Sequence, residues 1–167
     1  MSAPEAIAIR RAEQRDVPAL GRLGASLMRI HHAFDNRRFL APGDHPETGY
    51  AQFLGPQLDS DHALVLVAER TRPGQPGELV GYVYAAIEPQ SFKELRDQAG
   101  FIHDLLVADD ARGAGVGPRL LDAGVAWLRE QGMPRVILWA AAPNTKARGL
   151  FESKGFTPTM IEMTLEL

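Results

Sequence analysis

Residues Phe101 to Gly117 read F-I-H-D-L-L-V-A-D-D-A-R-G-A-G-V-G. An apolar run with strand character enters an acidic turn, passes an arginine and three alternating glycines, and leads into a stretch with amphipathic helical spacing. Gly113, Gly115 and Gly117 carry no Cβ, so the backbone can turn tightly and bring its N–H groups against a ligand. A helix starting near Pro118 adds its own N-terminal N–H groups and the positive end of its dipole. The order suits a phosphate or pyrophosphate, and the plainer reading is a flexible helix entry with no ligand. Two familiar phosphate motifs fail on spacing. The dinucleotide fingerprint needs G-x-G-x-x-G, whereas the glycines here follow G-x-G-x-G, and the nucleoside-triphosphate loop needs a lysine where Pro118-Arg119 stands. What remains is R-x-x-G-x-G, starting at Arg112.

Working outward, the chain of 167 residues has the length of one domain spanning 1–167. Its formal charge of −3 offers no global basic field for nucleic acid. The absence of cysteine removes disulfides, thiolate metal sites and any acyl-cysteine intermediate. The first residues lack a basic start followed by a long apolar run, and no stretch approaches the ~20 apolar residues of a membrane span. The expectation is a cytoplasmic protein with no membrane or nucleic-acid partner.

Alternation over Ala6 to Arg11 predicts a first strand, and Leu20, Leu23, Leu27 and Ile30 recur at helical spacing up to His31-His32. Phe34 to Gly49 reads as a loop, and Tyr50 to Leu58 as a short helix weakened by Pro56. The β-branched runs Ala63 to Glu69 and Glu78 to Ile87 flank T-R-P-G-Q-P-G, which predicts an antiparallel hairpin. A polar loop, Glu88 to Gln98, leads to the Phe101 strand and suits a substrate-side flap or a third antiparallel connection. A helix follows over Arg119 to Glu130, then a buried strand over Val136 to Ala141, a short helix from Pro143-Asn144 to Lys154-Gly155, and an alternating final strand over Thr159 to Leu167. The fold class expected is α/β, a mixed and mostly antiparallel central sheet flanked by helices.

The chain resembles the acetyl-CoA-dependent N-acetyltransferases of the GNAT superfamily. The resemblance rests on Val107, on R-G-A-G-V-G at Arg112 to Gly117, and on Asn144, Ala147, Leu150-Phe151 and Gly155-Phe156, which together cover the C-terminal third. It implies acetyl-CoA as cosubstrate, with its pyrophosphate on the backbone of Arg112, Gly113, Ala114, Gly115, Val116, Gly117 and Pro118, although proline donates no N–H. The Arg112 guanidinium is either a phosphate ligand or a solvated flank. By resemblance the backbone of Leu105, Leu106 and Val107 pairs with the pantetheine arm, and the N–H of Leu105 holds the thioester oxygen as charge builds on it. Asn144 matches a cofactor-contacting asparagine and reads equally well as a helix N-cap. The family commonly has a tyrosine where this chain has Phe151, which cannot reprotonate a departing thiolate. That role falls to water or Tyr84, or is not needed. Many relatives pair, so a homodimer is expected.

Acetylating an amine requires a base, because a free alkylamine is protonated at neutral pH. Many relatives carry a glutamate where this chain has His103, and imidazole titrates close to working pH. The alternatives are a satisfied histidine beside the core and Glu88 as the base. Strand alternation puts His103 and Asp104 on opposite faces unless a bulge intervenes, leaving Asp104 to bind substrate or a nearby turn. His31 and His32 are weaker candidates at what reads as a solvated helix end. No His, Asp and Glu spacing suits a metal, and none is assigned. The function expected is N-acetyl transfer to a small amine, an amino acid or a peptide amine by direct attack in a ternary complex, with a non-catalytic acetyl-CoA-binding or sensing module as the alternative.

Overall fold

The computed structural model describes residues 5–167. Five strands form one sheet in the order β1-β2-β3-β4-β5, namely β1 (Ala6–Arg11), β2 (Ala63–Thr71), β3 (Glu78–Glu88), β4 (Ala99–Val107) and β5 (Val136–Leu138). From β1 to β4 neighbours run antiparallel, while β4 and β5 run parallel. Helices α1 (Val17–Phe34), α2 (Pro46–Leu54), α3 (Val116–Glu130) and α4 (Thr145–Ser153) complete the α/β class expected from the sequence.

The near-continuous apolar runs of β2 and β3 reflect burial on both faces. On one side Leu64, Leu66, Ala68, Val83 and Ala85 pack with Leu120, Leu121 and Leu128 of α3. On the other, Val65, Val67, Tyr82, Tyr84 and Ala86 pack with Leu20 of α1 and Leu54 of α2. The two residue sets alternate along each strand, as a pleated sheet with two covered faces requires. α1 and α2 approach closely because Gly24 has no side chain, since a Cβ there would lie 1.9 Å from Cδ1 of Tyr50.

Several boundaries differ from the sequence reading. α2 begins at Pro46, where a proline with fixed φ fits the first helical turn, and the loop before it is correspondingly shorter. It ends at Leu54, and Gly55–Asp59, with Pro56 inside, tightens into a 3-10 turn. α1 runs to Phe34 with His31 and His32 in its last turn, but that end is not solvated: both are half-buried, with Phe39 folded edge-on to the His31 ring. α3 begins at Val116 rather than beyond Pro118. β5 is three residues of a half-buried strand, and Trp139 beyond it is 73% exposed. The final strand over Thr159 to Leu167 is not formed: residues 156–167 contain no helix, strand, turn or bend, and all beyond Phe156 are exposed. Alternation states that a segment can pair. It supplies no partner, and β5 is the last strand of the sheet.

Candidate active site

The register between β3 and β4 skips one residue, because Tyr84 faces Asp104 while Ala85 faces Ile102. His103 is therefore the extra residue of a β-bulge, which breaks the alternation of side chains. Its ring stacks on Tyr84 at 5.1 Å and on Phe101 at 5.4 Å. The neighbouring Asp104 carboxylate accepts hydrogen bonds from the hydroxyls of Tyr82 and Tyr50, each at 2.9 Å. Tyr82 and Tyr84 both belong to the core under α1 and α2, so His103 and Asp104 occupy the same side of the sheet. This corrects the expectation of opposite faces. Among the described residues Asp104 also binds no turn; it fastens α2 to the sheet through Tyr50.

Glu88, at the end of β3, lies with its Oε1 2.8 Å from Nε2 of His103. The two residues that the sequence offered as rival bases are thus in contact, and both are about one-third exposed. An ionised carboxylate only accepts, so in the neutral ring this contact is made by an Nε2–H, and the Nδ1 lone pair is then the one that can take a proton. Around the pair the walls are aromatic. Phe53 of α2 meets Tyr84 edge-on, Trp139 meets Phe101 edge-on, and the Arg96 guanidinium lies over the Phe101 ring at 4.7 Å. Arg96 donates to the carbonyls of Pro89 and Asp97, which holds the loop between β3 and β4 down against this wall.

Burial, and then the Glu88 and Asp104 charges, push the Tyr84 hydroxyl up to about 12. A hydroxyl that weak as an acid stays protonated and offers a hydrogen bond, yet it would surrender its proton only uphill to a thiolate of ordinary pKa near ~8.5. Burial likewise holds the Asp104 carboxyl above the usual carboxylate range, against the opposing pull of Tyr82, Tyr50, His103 and His31. Burial and the Asp104 charge raise Tyr50 and Tyr82 too.

β4 and β5 pair only at Gly100, Phe101 and Ile102. From the bulge onward, through Leu105, Leu106 and Val107, the β4 edge facing β5 has no strand beside it. That edge leads directly into a 3-10 turn at Asp109–Ala111 and the glycine turn. The buried Arg70 guanidinium braces the turn by pairing with Asp110 at 2.6 Å and Glu78 at 2.7 Å. Gly113 and Gly115 sit at φ +83° and +73°, in the left-handed region, and Gly115 caps α3. A Cβ at either would meet nothing within 4 Å, so the space in front of the turn is open. Among the described residues the N–H groups of Gly113, Ala114, Gly115, Val116 and Gly117 donate to no backbone carbonyl, whereas that of Arg119 is taken by Gly115. This is a cradle of free donors at a helix N-terminus, which fits a phosphate. Arg112 is turned the other way, donating to the Val107 carbonyl and pairing with Asp109 at 2.8 Å.

Asn144 caps α4, its Oδ1 accepting from the Ala147 N–H at 3.2 Å. Phe151 packs into the α3-side core against Phe156, on the far side of the sheet from His103. Sequence reasoning missed Tyr50 and Tyr82 as the partners of Asp104, and Trp139 as the neighbour of Phe101. The available signal was Y-V-Y at Tyr82 to Tyr84, which sends two hydroxyl-bearing rings to one face. Among the described residues no group of His, Asp and Glu gathers as a metal ion requires, and no helix is long and apolar enough to cross a membrane.

A bulged strand thus opens onto a glycine-capped helix whose free N–H groups suit a phosphate, with His103 and Glu88 in contact beside the opening. Comparison with known proteins supplies the family. The Acetyltransferase (GNAT) family model matches residues 27–156, and the chain belongs to that family. A mycothiol acetyltransferase of Cellulomonas flavigena is 36% identical over 108 residues, which are 62% of this chain and 29% of that protein. The uncharacterized N-acetyltransferase YhfO of Bacillus subtilis is 30% identical over 110 residues, 65% of this chain and 68% of its own length. The chain thus spans only about a third of the mycothiol acetyltransferases it matches. Among solved structures, an aminoglycoside N-acetyltransferase AAC(6')-Iy in complex with CoA superposes with a TM-score of 0.72 at 17% identity, covering 99% of this chain and 97% of that one. A tetramutant of the BH1408 protein of Bacillus halodurans gives 0.76 at 20% identity, covering 96% and 99%. At such identities these two structures establish a shared fold.

Proposed function

We propose that the protein is an acetyl-CoA-dependent N-acetyltransferase that moves the acetyl group to a primary amine by direct attack in a ternary complex. The observation that carries this reading is the His103–Glu88 contact of 2.8 Å on the β4 bulge, where the strand's edge opens toward the glycine turn. The cosubstrate supplies an activated acyl group. The free N–H groups of Gly113 to Gly117 hold its pyrophosphate, and the open edge at Leu105, Leu106 and Val107 pairs with its peptide-like arm. Arg112 serves through its backbone, since its side chain is committed to Val107 and Asp109. Asn144 keeps its side-chain N–H groups available to the same arm while its oxygen caps α4.

In the reaction the amine's nitrogen forms a bond to the thioester carbon as the carbon–sulfur bond breaks. The proton leaving nitrogen goes to Nδ1 of His103, the ring being oriented by Glu88 through Nε2. The Leu105 N–H stabilises the charge developing on the carbonyl oxygen. The sulfur departs as a thiolate, a tolerable leaving group with an ordinary pKa near ~8.5 that needs no acid from the site, since Phe151 has no proton to give and Tyr84 would give its own only uphill; the thiolate equilibrates with solvent protons on release. In this reading the acceptor is a small-molecule amine, in keeping with the names of the relatives and with the aromatic side chains of Phe53, Tyr84, Phe101 and Trp139 around the pair. In this reading residues 1–167 form one cytoplasmic catalytic domain that works as a homodimer. A non-catalytic acetyl-CoA-binding module would account for Phe151, but it leaves the His103–Glu88 contact without a task.

Initial rates measured with both substrates varied test the reaction order. Intersecting reciprocal plots are expected of a ternary complex. Parallel plots would indicate an acyl-enzyme intermediate and contradict the proposal.

A further inference from the structure

The groups left free around His103 restrict the kind of amine that can reach it. His103 is the middle ring of a row in which Phe53, Tyr84, His103, Phe101 and Trp139 meet in turn. Tyr84 and Phe101 are buried, whereas Phe53, on α2, is 49% exposed. His103 lies on the side of the sheet that α1 and α2 cover, and the cosubstrate takes the open β4 edge, so the acceptor's path to Nδ1 runs past Phe53. Three polar atoms along it have no protein partner among the described residues: Nδ1 of His103, Oε2 of Glu88 and the Tyr84 hydroxyl. The hydroxyls of Tyr50 and Tyr82, by contrast, are spent on Asp104. Each of the three free atoms accepts a hydrogen bond from an amine or ammonium N–H, and Glu88 repels an anion.

The cation that touches the row is already committed. Arg96 lies over the Phe101 ring, donates to the carbonyls of Pro89 at 2.8 Å and Asp97 at 3.1 Å, and pairs with Glu94. Its side chain is 14% exposed, so it is not on offer to a ligand's carboxylate. Lys93 is exposed at the tip of the same loop, beyond the bridge of Ser91 with Arg96. That tip is apolar on either side of it: Phe92 and Leu95 are 86% and 90% exposed, and Leu95 is held at φ +52°, a conformation leucine rarely adopts. We propose that the acceptor is an arylalkylamine without a carboxylate, a primary amine on a short carbon chain ending in an aromatic ring. Its ring rests against Phe53, and its N–H groups meet Glu88 and the Tyr84 hydroxyl beside Nδ1 of His103. A carboxylate on the carbon next to the nitrogen would face Glu88 with no free cation to offset it. A polyhydroxylated amine would leave its hydroxyls against the rings without partners.

This acceptor class rests on the acetyl transfer proposed above, and the test separates the two. Release of CoA thiol is measured with 2-phenylethylamine, ethylamine, D-glucosamine, L-phenylalanine and L-phenylalaninamide, the last matching the amino acid in bulk without its charge. The expected order places 2-phenylethylamine first, with kcat/KM about tenfold above ethylamine and on the order of 10²-fold above L-phenylalanine, and the amide between. Phe53→Ala should raise KM for 2-phenylethylamine about tenfold and that for ethylamine less, with the thermal shift given by acetyl-CoA showing that the variant is folded. L-phenylalanine used as well as 2-phenylethylamine, which would make Lys93 or Arg96 a carboxylate ligand, keeps acetyl transfer and overturns the acceptor class. So does a preference for D-glucosamine, or an equal loss with both amines in Phe53→Ala. Should that variant fail to fold, the order of the five amines on the parent decides alone. No thiol release with any of them, while acetyl-CoA still binds, overturns the acetyl transfer and the acceptor class together.

Discussion

Replacing Gly115 with valine should separate the fold from its ligand. At φ +73° a β-branched residue is strained, and the cost of placing an L side chain in the left-handed region is about 1–2 kcal/mol. No atom lies within 4 Å of the new Cβ, so no steric clash at Cβ is added and the unliganded protein should still fold. For a chain of this length each kcal/mol moves the melting temperature by about 2–4 °C, which gives a loss of about 2–8 °C. In the parent, acetyl-CoA at a hundred times its dissociation constant should add about 2.7 kcal/mol, or about 5–11 °C. In Gly115→Val the isopropyl group stands in front of the N–H cradle, and that gain should vanish. Gly132, at the other end of α3, is the control: it has φ +76° and equally open surroundings, so Gly132→Val carries a similar strain and should keep the full ligand shift. Scanning calorimetry or dye-based melting of the three proteins with and without acetyl-CoA reads the difference. A full shift in Gly115→Val would refute the assignment of the glycine turn as the phosphate site.

Three further outcomes follow from the site and the packing around it. His103→Ala should lower turnover by about 10²–10⁴ while sparing acetyl-CoA affinity, and Glu88→Gln should lower it less, because the ring remains; equal or reversed losses in steady-state kinetics would make Glu88 the base. Asp104 is held above its unfolded value near ~3.9, so it binds its proton more tightly folded than unfolded. Its ionisation therefore costs stability: the cost is absent below the unfolded value, appears as pH rises through the native one, and is complete above it. The stability of Asp104→Asn relative to the parent, from urea melts across that range, should rise with pH, and a falling difference would contradict the burial argument. Gly24→Ala places a methyl 1.9 Å from Tyr50, so it should displace that ring at a cost of about 1–3 kcal/mol and loosen α2; a neutral effect in the same melts would show that α1 and α2 are not packed as described.

What the sequence disclosed and what it concealed divide along physical lines. The glycine turn was legible because positive φ admits few other residues, and Gly113 and Gly115 adopt it. The Glu78 hairpin was legible from composition and turn chemistry. The bulge at His103 was not, since a one-residue register shift is decided by the pairing of two strands and leaves no mark on either alone. It alone places His103 beside Tyr84 and on the same side as Asp104. The joining of Glu88 to His103 follows from the antiparallel pairing of β3 with β4, across 15 positions of sequence. Tyr50 reaches Asp104 across 54 positions, because Gly24 lets α2 settle against α1. The final strand shows the opposite error, a sound local pattern read without asking which edge it would meet.

The central claim is that the bulged histidine and the glycine turn serve one reaction, acetyl transfer to an amine. Its most direct test is release of CoA thiol from acetyl-CoA in the presence of a panel of small amines, amino acids and peptides, followed with a thiol reagent. The chain contains no cysteine, so the protein adds no background to that signal. The account predicts thiol release that requires an amine, keeps pace with formation of the N-acetylated product, and falls away in His103→Ala. Tight acetyl-CoA binding with no amine-dependent thiol release across the panel would contradict it.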